Sequence, residues 1–515
     1  MLNSFNKAPR LQRSTTKSVA APIGGWNARD ALGAMGKLDA VTLQNWWPGT
    51  SDVLLRKGHT RYATGITGQV ESLISYASGT ADKLFAAAVG VIYNVTGGGA
   101  ASASLSSLTN ARWQYVNMTT AGGSFALMVN GADKMRSFDG SAWHADGDGG
   151  AYDITNVNTA TCINITLFKN RIWLIVTGTL KAWYLPINAL GGAAVALDMS
   201  TLCQLGGYLM AAETWTLDAG YGMDDYLAFI TSKGEVLVWR LTDPTTPSGI
   251  ALIGIYQIGA PIGRRCMLKY GGDLLIITQD GVVPMAGALQ SSRLDPRVSL
   301  TDKIQYAVST AVSAYGANYG WQLVYFAKEN QLYLNVPVSE GSAQQQYVMN
   351  TITKSWCNFI GWTANCWAVY QDDIYFGGNT FVGKAWNGTV DYLSNIEAYG
   401  LQSFQYYRDA NEKQCKMIRP HFIADGNIGA YGNVNADFNL ADTSAALNFT
   451  NVTYPVWDTG VWDTAVWGGG NSNYAEWQGA TAIGYCFAPL IKTAAQGITM
   501  HWVSTDMVFE GGGTL

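Results

Sequence analysis

From Lys83 to Thr389 the apolar positions come as paired short runs, each pair joined by a Gly, Asn or Asp turn and closed by an aromatic residue or a valine. Lys83-Leu84-Phe85-Ala86 leads to Val91-Ile92-Tyr93, and Ser124-Phe125-Ala126-Leu127 leads to Phe138 and Trp143. Asn170-Arg171-Ile172-Trp173-Leu174 leads to Trp183-Tyr184, and Tyr226-Leu227-Ala228-Phe229-Ile230 leads through Ser232-Lys233-Gly234 to Val236-Leu237-Val238-Trp239. Leu274-Leu275-Ile276-Ile277 with Val282-Val283, Gln331-Leu332-Tyr333-Leu334 with Trp356, and Asp373-Ile374-Tyr375-Phe376 with Trp386-Asn387-Gly388 complete the series. A spacing of roughly 40 to 55 residues suits a four-stranded sheet that cannot bury both faces alone and stacks with its neighbours around an axis. The pattern predicts an all-β chain with a β-propeller of six or seven blades over 67–398. Unrelated antiparallel sheets in series would give the same period, because strand periodicity does not by itself impose closure.

The flanks read differently. Residues 1–20 are polar, basic and rich in Ser and Thr, the composition of a flexible arm that orders only against a partner. Residues 21–66 form an extended segment in which Asp39 to Pro48 suits a short helix stopped by the proline. The strand that follows is placed to complete the last blade and tie both ends of the ring. Ser299 to Val308 offers hydroxyl N-caps ahead of apolar positions at Leu300, Ile304, Ala307, Val308 and Ala311, which predicts a helix packed between blades. Residues 399–515 read as a separate C-terminal β-rich domain, with strands over 418–439 and 482–510. Between them Trp457, Trp462 and Trp467 recur every five residues. In a strand that spacing alternates faces, and in a helix it turns each ring by about 140°, so a looped segment pinned by aromatic anchors fits better. The anchors serve either as pegs under the loop or as contacts to a neighbouring subunit.

Composition narrows the function. At 515 residues the chain exceeds what one core usually supports, so two or more domains are expected. Charged residues are 13%, about half the usual share, so the surface is covered by small polar residues and glycine or by other subunits. A net charge of −5 opposes tight binding to a phosphate backbone and disfavours a reader of DNA sequence. A smooth conduit for DNA stays open, because a wall along which a polyanion slides should lack Lys and Arg anchors. Seven scattered cysteines give neither a disulfide framework nor zinc spacing. Lys7, Arg10, Arg13 and Lys17 precede no apolar stretch, so no secretory signal and no membrane span are expected, and synthesis in the cytoplasm follows.

Candidate chemistry is sparse. Gly378 to Lys384 has the glycine and lysine spacing of a phosphate loop, but Ala385 lacks the hydroxyl that would hold magnesium, and Trp386-Asn387-Gly388 predicts a hairpin. Asp224-Asp225 and Asp372-Asp373 are adjacent strand-entry residues that cannot by themselves flank one glycosidic bond. His59, His144, His421 and His501 are isolated, and no serine elbow exists. The residues therefore indicate no catalytic, cofactor or metal set and no enzyme, although carboxylates converging from different blades are invisible at this level.

The opening Ala21-Pro22-Ile23-Gly24-Gly25-Trp26-Asn27-Ala28-Arg29-Asp30, with Leu38-Asp39-Ala40-Val41, Asn45-Trp46-Trp47-Pro48 and Leu55-Arg56-Lys57-Gly58, resembles the start of structural proteins of short-tailed bacteriophages. The Trp-Asp-Thr run and the stretch from His501-Trp502-Val503 to Gly513 are similar too. The resemblance implies a tail nozzle, or tail tubular protein B: a virion propeller protein, usually in six copies, that forms a ring below the head-to-tail adaptor. Such a homohexameric ring continues the DNA channel, retains the genome, opens during ejection and carries spikes or fibres. It contacts passing double-stranded DNA without reading its sequence. On this reading Lys7, Arg10 and Arg13 in the arm and Trp457, Trp462 and Trp467 are interface candidates. The competing reading is a propeller that binds or cleaves polysaccharide.

Overall fold

The computed structural model describes residues 14–218, 223–288, 298–407, 411–426, 428–442 and 472–511. The chain divides into two compact units: one comprises 59–348 and 360–386, and the other 1–58, 349–359 and 387–515.

The first unit is a seven-bladed β-propeller. Its first sheet runs Val70–Tyr76, Lys83–Ala88, Val91–Asn94 and Ser102–Leu105. The second runs Gln114–Thr120, Gly123–Val129, Arg136–Phe138 and Trp143–Ala145; the third Cys162–Phe168, Arg171–Val176, Lys181–Tyr184 and Val195–Asp198. The fourth spans Leu209–Asp218 to Ile250–Gln257. The fifth has three strands, Met267–Tyr270, Asp273–Thr278 and Gly281–Pro284. The sixth begins Gln322–Phe326, Gln331–Ser339 and Ala343–Asn350. The seventh takes Cys366–Tyr370, Asp373–Gly377 and Val382–Ala385 and finishes with His59–Thr64 from the front of the chain. The first strand of each sheet lies beside the first strand of the next, and Cys366–Tyr370 lies beside Val70–Tyr76, so the ring closes.

Radial packing explains the apolar runs. In Lys83–Ala88, Leu84, Ala86 and Ala88 pack toward the seventh sheet with Tyr375 and Val382. Phe85 and Ala87 pack the opposite way with Ala126, Met128 and Phe138 of the second. Leu127 and Val129 then meet Ile172 and Leu174 of the third sheet, whose Trp173 and Ile175 meet Phe229 and Leu237 of the fourth. Side chains alternate between faces along a strand, so a strand apolar throughout is one whose two faces are both covered.

Three expectations are corrected within this unit's reach. The blade-closing strand is His59–Thr64, so 67–398 neither starts nor ends the propeller. The helix over 299–308 forms as a 3₁₀ turn, Asp302–Ile304, followed by Gln305–Tyr315, and packs between strands Gly281–Pro284 and Gln331–Ser339. Its hydroxyls do not cap it. Thr301 Oγ1 accepts from the Val282 amide at 3.1 Å and Ser299 Oγ donates to the Val282 carbonyl at 3.0 Å, which fastens the helix entry to the fifth sheet.

The second unit carries two sheets. One is ordered Ser472–Ala475, Lys413–Ala424, Met500–Gly511, Val53–Leu55, Trp46–Pro48, with Thr15–Ala20 also paired to Met500–Gly511. The other is ordered Trp356–Phe359, Asp39–Gln44, Ile396–Gln402, Phe487–Ala495, Ala430–Ala436. The predicted helix over 39–48 is thus two strands, Asp39–Gln44 and Trp46–Pro48, because their residues are claimed by neighbours in both sheets. Asn45 makes the break between them in the left-handed region at φ 57°. Thr15–Ala20, placed by composition in a free arm, is a paired strand. The C-terminal domain is not continuous: the segments 14–58 and 349–359 are built into it.

Candidate functional site

Successive four-stranded blades start each innermost strand at the same end of the axis, so the residues at those starts converge on one mouth. In the propeller this brings together Glu71, Arg112, Arg264, Arg265, Tyr319 and Gln322. A cavity of about 260 Å³ lies against residues from all seven first strands, including Leu73, Gln114, Asn164, Glu213 and Trp367.

Arg265 crosses this mouth from the fifth sheet. Its Nη2 donates to Ser72 Oγ at 2.6 Å and to the carbonyls of Glu71 and Trp113 at 3.1 Å. Its Nη1 donates to Gln322 Oε1 at 3.4 Å. The Gln322 amide also accepts from the Trp367 backbone N–H and donates to its carbonyl, both at 3.0 Å, so one guanidinium and one amide tie five blades. Arg112 donates to Glu71 at 3.0 Å and to Glu340 at 3.3 Å, and its guanidinium lies 4.3 Å from the centre of the Tyr319 ring. Burial works against the Arg112 charge, but the two glutamates outweigh it and hold its pKa above the ordinary value. Burial pushes the Tyr319 phenol up, so it stays neutral and donates to the Glu71 carbonyl at 3.1 Å.

Arg264 is the exception. Its Nη1 donates to the Asn130 carbonyl at 3.4 Å, and no carboxylate among the described residues faces it. Burial lowers its pKa, and the like charge of Arg112 acts in the same direction. Further along the cavity Glu213 Oε1 accepts from the Thr214 amide at 2.9 Å, from Thr166 Oγ1 at 3.3 Å and from Lys269 at 3.3 Å. The arrangement offers cationic and amide donors for an anion, and Glu213 is the one carboxylate among the described lining residues.

The residues singled out from the sequence lie elsewhere. Gly378 to Lys384 is the turn and strand of a hairpin, with Val382–Ala385 antiparallel to Asp373–Gly377. Asp372 occupies a left-handed turn at φ 58°, and Asp373 is bridged by Lys328 and Lys384. Asp225, at the entry of strand Met223–Thr231, accepts from Lys169 at 2.9 Å and Thr216 at 3.0 Å. His144, His421 and His501 pair with Asp139, Asp506 and Asp52, and His59 is buried against Phe376 and Phe381. The seven cysteines are free thiols, and burial pushes Cys266 and Cys366 up to about 12, away from nucleophilic use. Among the described residues no three of His, Cys, Asp and Glu gather as metal ligands, and no helix is long and apolar enough to cross a membrane. Lys7, Arg10, Arg13, Trp457, Trp462 and Trp467 lie outside the described residues. The axial arginines were not singled out from the sequence, although Arg264-Arg265 is the chain's single Arg-Arg doublet and directly precedes an apolar strand.

No protein-family model matches the chain, and no curated protein matches it. Among solved structures it is similar to the extracellular domain of a one component system, BT4673, from B. thetaiotaomicron, at 10% identity and TM-score 0.41. That match covers 72% of this chain and 48% of the other, so the chain spans about half the length of that domain. It is similar to the β-propeller domain of Myceliophthora thermophila Cps50 (Swd1) at 12% identity and TM-score 0.40, over 64% of this chain and 99% of that one. A third likeness, to YCF48 bound to D1 peptide, has 10% identity and TM-score 0.35 over 64% of this chain and 94% of the other. The assignment of a seven-bladed propeller rests on the closed ring of first strands.

Proposed function

We propose that this protein is a non-enzymatic structural component of a short bacteriophage tail, a ring-forming nozzle below the head-to-tail adaptor that retains the genome and lets it exit. One observation carries the reading: the N-terminal residues that resemble nozzle proteins are framework residues. Gly25 has φ 79°, and a Cβ there would stand 2.6 Å from the Trp356 carbonyl oxygen. Asn27 donates to Asp30 at 2.9 Å and to Asp39 at 2.8 Å. Trp46 packs on Trp502 with ring centres 5.6 Å apart. Arg56 donates to Asn45 at 2.8 Å and forms a two-pronged ion pair with Asp391. A motif spent on packing and buried polar links speaks for a shared architecture, which is what a mechanical function requires.

The DNA path in this reading runs between copies. A duplex whose major groove alone is about 12 Å wide does not fit an axial cavity of about 260 Å³ crossed by Arg265. The polysaccharide-cleaving alternative needs two carboxylates on one bond. Among the described residues that line the cavity Glu213 is the one carboxylate, and its Oε1 is already engaged by Thr214, Thr166 and Lys269. Adaptor, spikes and fibres are the partners that follow from the nozzle reading, and the tail of the virion is its location.

Cryo-electron microscopy of purified particles, with mass measurement of the isolated protein, tests the assignment. A discrete ring, or assembly on the adaptor, is expected. Absence from the tail, or a stable monomer that degrades glycans, would refute it.

A further inference from the structure

We infer that the strand-start mouth of the propeller axis is a binding site for a small oxyanion, a phosphate- or carboxylate-bearing molecule, with Arg264 as its principal cation. Three observations on different residues converge. The cavity has room for several non-hydrogen atoms and is bounded by every blade, so a ligand there is held by a closed framework rather than by a mobile loop. Arg264 and Arg265 are half-buried guanidinium groups reaching across it toward carbonyl, hydroxyl and amide acceptors, all uncharged. The carboxylates nearby are already engaged: Glu71 and Glu340 at the mouth by Arg112, and Glu213, which lines the cavity, by Thr214, Thr166 and Lys269.

A half-buried cation that lacks a counter-charge carries a desolvation cost, and a chain of net charge −5 had acidic residues available to offset it. The retained imbalance is what an anion site requires: the ligand provides the missing charge on binding. Arg265 is the less suitable primary contact, because its terminal nitrogens already hold Glu71, Ser72, Trp113 and Gln322. Arg264 has one long hydrogen bond to Asn130 and keeps donors for a bidentate oxyanion. Tyr319, lying under both Arg112 and Arg265, keeps those cations in place. The inference does not depend on the nozzle reading, since it concerns the axis of a single propeller.

Isothermal titration of the intact chain with inorganic phosphate and, separately, with succinate, at constant ionic strength in chloride, tests it. Saturable binding of one or both is expected, phosphate alone marking a phosphoryl ligand and succinate alone a carboxylate. Arg264→Gln should weaken that binding about tenfold or more, the loss of a charged hydrogen-bonding partner. Arg240→Gln, on an exposed position of the fourth sheet, should leave it unchanged. No saturable binding of either ion, or equal weakening by Arg240→Gln, overturns the proposal. Should Arg264→Gln fail to fold, modification of the wild-type protein by phenylglyoxal decides. Slower reaction at Arg264 in the presence of the bound ion supports the site, and an unchanged rate refutes it.

Discussion

Arg56 illustrates how much single residues hold. Its side chain is wholly inaccessible, its guanidinium is shared between Asn45 and Asp391, and it lies over Phe359. Asp391→Ala leaves that charge buried without its carboxylate, and the expected cost is about 3–5 kcal/mol in a urea unfolding titration. A loss below about 1 kcal/mol would mean that water reaches the guanidinium. Asp506 offers a second test through pH. Burial raises its pKa, but hydrogen bonds from His421, Arg419 and Ser18 outweigh that and hold it at about 2. Because the folded value lies below the unfolded one, the stabilisation is fully present above about pH 4 and is lost as pH falls through about 2. Asp506→Asn should cost about 1–2 kcal/mol at neutral pH, after allowance for solvent at the third-exposed Arg419 and His421, with the difference shrinking as pH falls toward about 2 and vanishing below it. A variant that tracks the wild type at every pH would contradict the pairing. The residue scale is also where the sequence was least legible: the Arg264-Arg265 doublet lies far along the chain from Glu71 and Arg112, and only the ring brings them to one mouth.

At the scale of elements, the seven repeated hairpins were readable because each is local. Six of them are the second and third strand of a blade, joined by a turn whose residues announce it; the sixth is not, because Gln331–Ser339 returns through Ala343–Asn350 and not through Trp356. The misread segments are those whose partners are remote. Asp39 to Pro48 carries a helix-compatible pattern, yet Asp39–Gln44 pairs with Ile396–Gln402 far along the chain and becomes strand. The closing strand His59–Thr64 was anticipated as a topological need but not at its position. It pairs with Val382–Ala385 across more than 300 residues of chain, with Ala63 wholly buried opposite Val382. Ala63→Asp places an unpaired carboxylate in that seam and should destabilise the propeller by about 3 kcal/mol or more, read as an earlier unfolding midpoint of the whole unit. An unchanged midpoint would show that the seventh sheet closes without this strand.

At the scale of the whole molecule, the chain crosses between its two units four times, so neither unit can be cut out as one continuous segment. Within the second unit Thr15–Ala20 and Met500–Gly511, from opposite ends of the described chain, pair in one sheet. If assembly depends on the aromatic run, replacing Trp457, Trp462 and Trp467 together by alanine should abolish ring formation in mass measurements while leaving the melting temperature nearly unchanged. Unfolding ahead of disassembly would make them core residues. The sequence by itself determined the all-β class, the blade hairpins and the scarcity of charge, because alternation, turn chemistry and composition are properties of short stretches. The tertiary structure alone decided the seventh closure, the interleaving of the two units and the arginine-lined mouth. Each of these depends on pairing between distant segments, whose partner is fixed by the competition of all strands for one ring.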